Sequence, residues 1–518
     1  MARTPLFGRI RSLIRAAQAE RRTGIAATEI IAMPRRRFMQ AAGGVLAATA
    51  FGAAGCASTP EIGRGKVGRR VAVIGGGIAG LNCAYQLKKK GVYAEVFEAS
   101  DRTGGRIFSK EGLLNPGQVV EVGAEFIDTP HEEMFALCKE FGLEMADMAS
   151  DPMKHECAYF FGGKHYTDRE VLDALQPFVA RMEKDAAWLE ADWEALASDK
   201  VVRDLDNTSL SAYLGSIGIT GWLKALLEVA FVTEYGGDAD AQSCFNMLCL
   251  IGLDTSTDRW ETFGESDERY KVIGGNQRVV DELAGRVKDR VFTGHRLMRV
   301  RRKLAEYELA FDSGGGTKEA IFDHVVLALP FTLLREVELE VDLPAEKTNA
   351  IRNLGYGTNA KVMLGTSSRP WRAQGNAGGI FSDLPFQLAW DNARTQKGEG
   401  GGITLYSGGK PGVEVGNGTP REQVERMLPG IDKAFPGTEA SWNKKLFRMH
   451  WPSHAFTKAS YACYRPGQWT TIHGHEGTSV ENLHFAGEHC STDWQGYMEG
   501  GAATGHAAAT AIVEVLQG

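Results

Sequence analysis

The chain predicts an α/β fold organised around a dinucleotide-binding unit. Three observations lead there. An apolar run, Val71-Ala72-Val73-Ile74, passes directly into Gly75-Gly76-Gly77-Ile78-Ala79-Gly80. A stretch long enough for a helix then leads to a second run, Ala94-Glu95-Val96-Phe97. An acid, Glu98, closes that run 18 residues past Gly80. Strand, glycine turn, helix, strand and acid form one βαβ unit. Gly75 permits a tight turn after the strand. Gly77 lets backbone N–H groups approach a pyrophosphate, and Gly80 lets the helix pack close to the sheet. Glu98 can accept from both hydroxyls of an adenosine ribose.

At 518 residues the chain exceeds a single ordinary core, and two domains are expected. Hydrophobic content of 43% and charged content of 24% are those of a soluble globular protein. The body of the chain has no apolar run approaching the ~20 residues needed to span a bilayer. Residues 1–40 carry nine Arg, no Lys and two Glu, a net of +7, which leaves −14 for the rest of a chain whose total is −7. No nucleic-acid partner is expected of so acidic a body. No CxxC pair occurs among the eight cysteines, so no metal site is expected. Cys244 and Cys249 sit in an apolar stretch and are read as core.

The basic head reads as a targeting segment. Arg35-Arg36-Arg37-Phe38-Met39-Gln40 resembles a twin-arginine export signal, followed by the weakly apolar stretch 41–54. Ala53-Ala54-Gly55-Cys56 resembles a lipoprotein cleavage box with Cys56 as the lipidated residue; the alternative is a small residue beyond a conventional cleavage site. Residues 1–60 are therefore assigned to export signal and leader, with the twin-arginine machinery as a partner and the periplasm, or the outer face of a membrane, as the destination. That route carries proteins folded around their cofactors.

Past Glu98 comes Asp101-Arg102-Thr103-Gly104-Gly105-Arg106. A second glycine pair capped by Arg106 resembles the segment after the ribose acid in flavoproteins with two dinucleotide-binding domains. The resemblance implies FAD rather than NAD, with Gly105 and Arg106 at the diphosphate. A short helix follows His131. Residues 168–256 have helical spacing, with Leu172, Leu175, Phe178, Val179 and Met182 on one face, and read as a helical insertion. A glycine turn at Gly274-Gly275 opens another helix. Strands are expected at Val291–Phe292, Leu297–Val300, Glu306–Phe311, His324–Leu329 and 483–486, loops at Gly398–Gly402 and 411–419, and a small-residue helix over 498–516.

The C-terminal run Leu483-His484-Phe485-Ala486-Gly487-Glu488-His489, then Trp494-Gln495-Gly496-Tyr497-Met498-Glu499-Gly500-Gly501, resembles the closing motif of the flavin amine oxidases, the family of monoamine and polyamine oxidases and their amino-acid-oxidase relatives. With the opening motif, the resemblance spans about 65–510. It implies an FAD-binding, Rossmann-like two-dinucleotide-binding-domain fold with an inserted α+β substrate domain. The FAD-binding domain would comprise 65–150, 270–340 and 465–518; the substrate domain, 151–269 and 341–464.

The same resemblance assigns residues. Glu488 would meet the ribityl or diphosphate part of FAD, Met498 the pyrimidine edge of the flavin, and Leu297 the adenine through its backbone. Lys361, in Asn359-Ala360-Lys361-Val362, matches the family lysine that holds a water against flavin N5. Tyr461 and Tyr497 match the two aromatics that orient an amine at the flavin. Ser460 stands where monoamine oxidases carry a flavin-linked cysteine, so noncovalent FAD is implied.

Amino-acid oxidases of this family place an arginine where this chain has Phe126, in the strand that Val122–Phe126 matches, flanked by Glu125 and Asp128. Two acids favour a cationic amine over an α-amino acid, with Glu125 and Asp128 as substrate-binding residues; Arg465 is the cation left to serve a carboxylate. The expected activity is oxidative deamination of a small-molecule amine, with oxygen or a periplasmic electron acceptor taking the electrons. The alternatives are an amine or amino-acid dehydrogenase and a non-catalytic FAD-binding protein.

Overall fold

The structure is a computed structural model; it describes residues 70–153, 155–190, 197–256 and 259–517. The export signal, its Arg35-Arg36 pair and Cys56 lie outside the described residues. The fold is mixed α/β.

The predicted βαβ unit forms as β1 (Val71–Ile74), α1 (Ile78–Lys89) and β2 (Ala94–Phe97). All four residues of β1 are buried, as an apolar strand covered on both faces must be. β1 lies at the centre of a five-stranded sheet of parallel pairs, ordered Leu483–Phe485, His324–Leu327, β1, β2, Val291–Phe292. Segments more than 380 residues apart thus share one sheet. The terminal helix Met498–Gln517 packs along α1. Its small residues make that approach possible: a Cβ on Gly505 would stand 2.1 Å from the Ala79 carbonyl oxygen.

A four-stranded sheet flanks this core, ordered Thr317–Phe322, Glu306–Asp312, Arg296–Lys303, Glu338–Glu340. A seven-stranded sheet, ordered Trp442–His450, Ala360–Thr366, Gly401–Ser407, Leu388–Asp391, Asn376–Ser382, His155–Phe161, Lys164–Tyr166, carries Lys361. The insertion is helical as its periodicity predicts: Asp168–Ala186, Lys200–Asp206, Leu210–Ser216, Gly221–Tyr235 and Cys244–Leu248. Leu172, Leu175 and Met182 are fully buried, and Cys244 and Cys249 are core. Among the described residues no helix is long and apolar enough to cross a membrane.

Three expectations are corrected. Val122–Phe126 is not a strand; the strand is Val119–Glu121, and the chain then folds inward. Gly123 permits this close approach, since a Cβ there would lie 2.0 Å from the Arg106 carbonyl oxygen. Gly401 and Gly402 belong to a buried strand and not to a loop, since only glycine fits beside Arg369 and Asn392 there. The stretch 411–419 begins within a helix, Gly409–Glu414, with Pro411 in its first turn, where a missing N–H costs nothing.

Candidate active site

One cavity of about 720 Å³ gathers nearly all the predicted site residues. Gly75, Gly77, Glu98, Gly105, Arg106, Leu297, Glu488 and Met498 line one part; Glu125, Asp128, Lys361, Tyr461 and Tyr497 line another. Gly80 sits behind the wall, where a Cβ would fall 2.0 Å from the Gly75 carbonyl oxygen. Its role is close packing of α1 on the sheet.

The nucleotide part follows from local backbone. Gly75 has φ +111, a conformation that L side chains rarely adopt. Gly77, the N-cap of α1, has nothing within 4 Å of where a Cβ would be. No side chain caps α1 and no acid stands in its first turn, so its leading N–H groups are free to meet an anion. Glu98 is buried; its Oε2 accepts from Gly76 N–H at 2.7 Å, and its Oε1 from Ser100 N–H and Oγ at 2.8 Å each. Its oxygens keep further lone pairs for ribose hydroxyls. Arg106 donates from Nη1 to Glu488 Oε1 at 2.8 Å and to the Ser460 carbonyl at 2.6 Å. The open glycine, uncapped helix, ribose acid and arginine fit a dinucleotide diphosphate.

The second part is a chamber of aromatics and acids. Tyr461 Oη lies 2.9 Å from Tyr406 Oη and donates to the Thr233 carbonyl at 3.2 Å. Burial, with Tyr406 and Glu234 nearby, holds its phenol well above the usual range. Tyr497 donates to Glu234 Oε1 at 3.1 Å and lies 3.1 Å from Ser266 Oγ. The buried His131 ring packs edge-on against it, with ring centroids 5.3 Å apart.

Glu125 and Asp128 are placed on the wall, but both are engaged. Glu125 Oε2 accepts from Lys361 at 2.8 Å; Oε1 accepts from Lys271 at 2.5 Å and from Trp390 Nε1 at 2.9 Å. Asp128 accepts from Glu268 N–H at 3.0 Å and from Ser266 Oγ at 2.6 Å. Burial raises the Asp128 carboxyl to about 7, against the pull of the Ser266 bond. Arg465 is exposed and lies off the cavity wall.

Sequence reasoning missed Glu234, Glu268, Lys271, Trp390 and Tyr406, all on the wall. Glu268 is the most informative of these. It has φ +44, a rare conformation for a non-glycine residue, and forms no ion pair among the described residues. Solvent reaches it within the cavity, yet protein encloses it. That enclosure, with Glu234, Asp128 and Glu125 nearby, raises its carboxyl well above the ordinary range. No local sequence signal marks it.

Ser460 is buried, and its Oγ donates to Asn359 Oδ1 at 2.6 Å. Cys463, three residues on, is buried off the cavity wall. Cys157 does reach the wall, but burial raises its thiol, leaving little nucleophilic thiolate. None of these positions offers a reactive thiolate for a covalent bond to a cofactor. Among the described residues no His, Cys, Asp or Glu cluster could hold a metal.

A dinucleotide cradle opening into a tyrosine-lined chamber defines an FAD-dependent oxidoreductase. The chain belongs to the family described as flavin containing amine oxidoreductase, matched over residues 78–513, and its activity is FAD-dependent amine oxidation. It is 23% identical to an L-amino acid dehydrogenase of Synechocystis over 462 residues, covering 86% of this chain and 94% of that one. Among solved structures it resembles cyclohexylamine oxidase from Brevibacterium oxydans, with a TM-score of 0.76, 22% identity and coverage of 87% and 100%. It also resembles putrescine oxidase bound to putrescine, with a TM-score of 0.74, 20% identity and coverage of 86% and 99%. At those identities the two structures speak to the fold.

Proposed function

We propose that the protein deaminates a cationic small-molecule amine rather than an α-amino acid, and that oxygen is the final acceptor. The observation that carries the substrate class is the set of carboxylates on the chamber wall, Glu234, Glu268 and Asp128, beside Tyr461 and Tyr497. Cations on the cavity wall already face acids: Arg259 with Glu261, Arg269 with Asp147, Arg296 with Glu336, Arg394 with Asp151, and Lys271 and Lys361 with Glu125. An ammonium is the ligand that would draw the raised carboxyls of Glu268 and Asp128 into their charged form.

The residues divide the work as follows. Gly75, Gly77, Gly105, Arg106 and the N-terminus of α1 hold the diphosphate, and Glu98 the ribose. Leu297, Glu488 and Met498 line the remainder of the cofactor, and Gly80 keeps α1 close to the sheet. FAD held there would supply a two-electron acceptor for the carbon that bears the amine, and hydrolysis of the imine by water would give a carbonyl compound and ammonia. Tyr461 and Tyr497 orient the amine; the carboxylates neutralise its charge. Lys361 positions a water at the reacting face. The chemistry relies on an FAD-binding domain of 65–150, 270–340 and 465–518 and a substrate domain of 151–269 and 341–464.

A dehydrogenase reading, with a periplasmic electron acceptor or an amino-acid substrate, is favoured by the Synechocystis relative's name alone. Incubation in air with matched amine and amino-acid pairs, assayed for ammonia and hydrogen peroxide together, decides between them. Equal ammonia and peroxide from amines supports the oxidase; ammonia formed only with an added dye overturns it. We also propose export by the twin-arginine route, with lipidation at Cys56. Changing Arg35 and Arg36 to Lys should leave precursor in the cytoplasm; periplasmic protein from that variant would contradict the assignment.

A further inference from the structure

An ammonium has three donors, and all three on Lys361 are used. They go to the carbonyl oxygens of Glu121 at 3.1 Å and Gly123 at 2.9 Å, and to Glu125 Oε2 at 2.8 Å. The two carbonyls belong to the main chain and carry no net charge. Glu125 is the charged partner, and its own position is fixed from the other side. Lys271 and Trp390 both donate to Oε1. Lys271 comes from a different strand, Tyr270–Val272, and its ammonium lies 4.6 Å from the centroid of the Phe126 ring. The side chains of Lys361 and Glu125 are almost inaccessible, at 6% and 3%.

We propose that Glu125 is the positioning residue of Lys361: clamped by Lys271 and Trp390, its carboxylate holds the Lys361 ammonium in place on the cavity wall. This rests on the reading that Lys361 serves the reaction beside the flavin. It replaces the expectation that Glu125 binds substrate. Breaking a buried pair by removing one partner leaves the other charge uncompensated. Here it would leave two lysines without their shared counter-ion. A water beside Lys361 would share the N–H that points to Glu125, because the other two are tied to backbone.

The other titratable groups facing this triad are Glu121, Glu268 and Tyr406, with Asp128 and Glu234 beyond. Glu121 is committed to Asn276 N–H and Ser109 Oγ, so it cannot take over as the counter-ion without breaking those bonds. Burial alone would raise the Glu125 carboxyl; Lys271 and Lys361 outweigh it and hold the group below its usual range.

The test uses the FAD-loaded enzyme and two readouts. Formaldehyde with cyanoborohydride methylates lysine amines that are free to react, and peptide mapping by mass spectrometry locates the label. Glu125→Gln should label Lys361 or Lys271 more than wild type, because neither amine is any longer held to the carboxylate. Glu125→Asp, which keeps the charge on a shorter arm, should fall between. In rapid mixing of reduced enzyme with oxygen, Glu125→Gln should slow reoxidation in the wild-type background and add nothing in a Lys361→Met background. Equal labelling of wild type and Gln variant, or equal slowing in both backgrounds, would overturn the proposal. If the Gln variant does not retain FAD, the Asp variant goes through the same comparisons, with labelling above wild type expected. Labelling consumes no amine, so its failure is distinct from failure of the substrate reading.

Discussion

The Lys361 ammonium lies 2.8 Å from Glu125 Oε2, within a buried triad that Lys271 completes. The lysine makes no contact with the glycine turn or with Glu98. Lys361→Met should therefore still bind FAD. It should slow flavin reoxidation or imine hydrolysis by ~100- to 10,000-fold, the range of proton-positioning groups. Rapid mixing with substrate and then with oxygen separates the half-reactions; wild-type rates in both would remove Lys361 from the chemistry.

Ser460, buried and bonded to Asn359, offers no thiol for a covalent link to the cofactor. Acid precipitation should release all flavin into the supernatant. Yellow colour retained in the pellet would show that another residue makes a bond.

Glu98 organises its own loop through Gly76 and Ser100 while facing the cofactor part of the cavity. Glu98→Ala leaves donors unpaired on both sides and should weaken FAD binding by about 1–3 kcal/mol. Titration of the apoprotein with FAD measures this directly, and an unchanged Kd would displace the ribose from this site.

Glu476 is buried beneath Tyr464, which donates to it. Burial raises its carboxyl to about 7, partly offset by that hydrogen bond. Because the folded value lies above the unfolded one, the folded state binds the proton more tightly. Stability should fall as pH rises from the unfolded value, near 4.5, to about 7, and stay low above it. Glu121, Asp128 and Glu499 are also raised to about 7 and act in the same direction. Glu476→Gln keeps an acceptor for Tyr464 and should flatten, without abolishing, the decline in Tm between pH 5 and 8, working pHs chosen to bracket this transition. A decline of unchanged slope would mean that Glu476 does not titrate there.

The βαβ unit was legible because its signals are local: an apolar strand, glycines where φ or packing demands them, and an acid at the next strand's end. Lys361, Tyr461 and Tyr497 were legible only through the family resemblance, and they do line one cavity. What Glu125 touches was not legible. Its partners Lys271 and Lys361 lie 146 and 236 residues away and arrive on separate strands. Val122–Phe126 read as a strand through its match to a strand of the family, but here the strand ends at Glu121, and Gly123 packs where a Cβ would meet the Arg106 carbonyl. Glu268 lacked any signal, since a left-handed conformation at a non-glycine residue is imposed by tertiary structure.

The central claim is that the acid-lined chamber accepts amines and delivers their electrons to FAD. Anaerobic mixing of the yellow holoenzyme with matched pairs, each an amine and the α-amino acid that differs from it by one carboxylate, tests this most directly. Bleaching of the flavin by amines, with the amino acids slower or inert, is the predicted result. Bleaching by amino acids ahead of their amines, or by neither, would contradict the account.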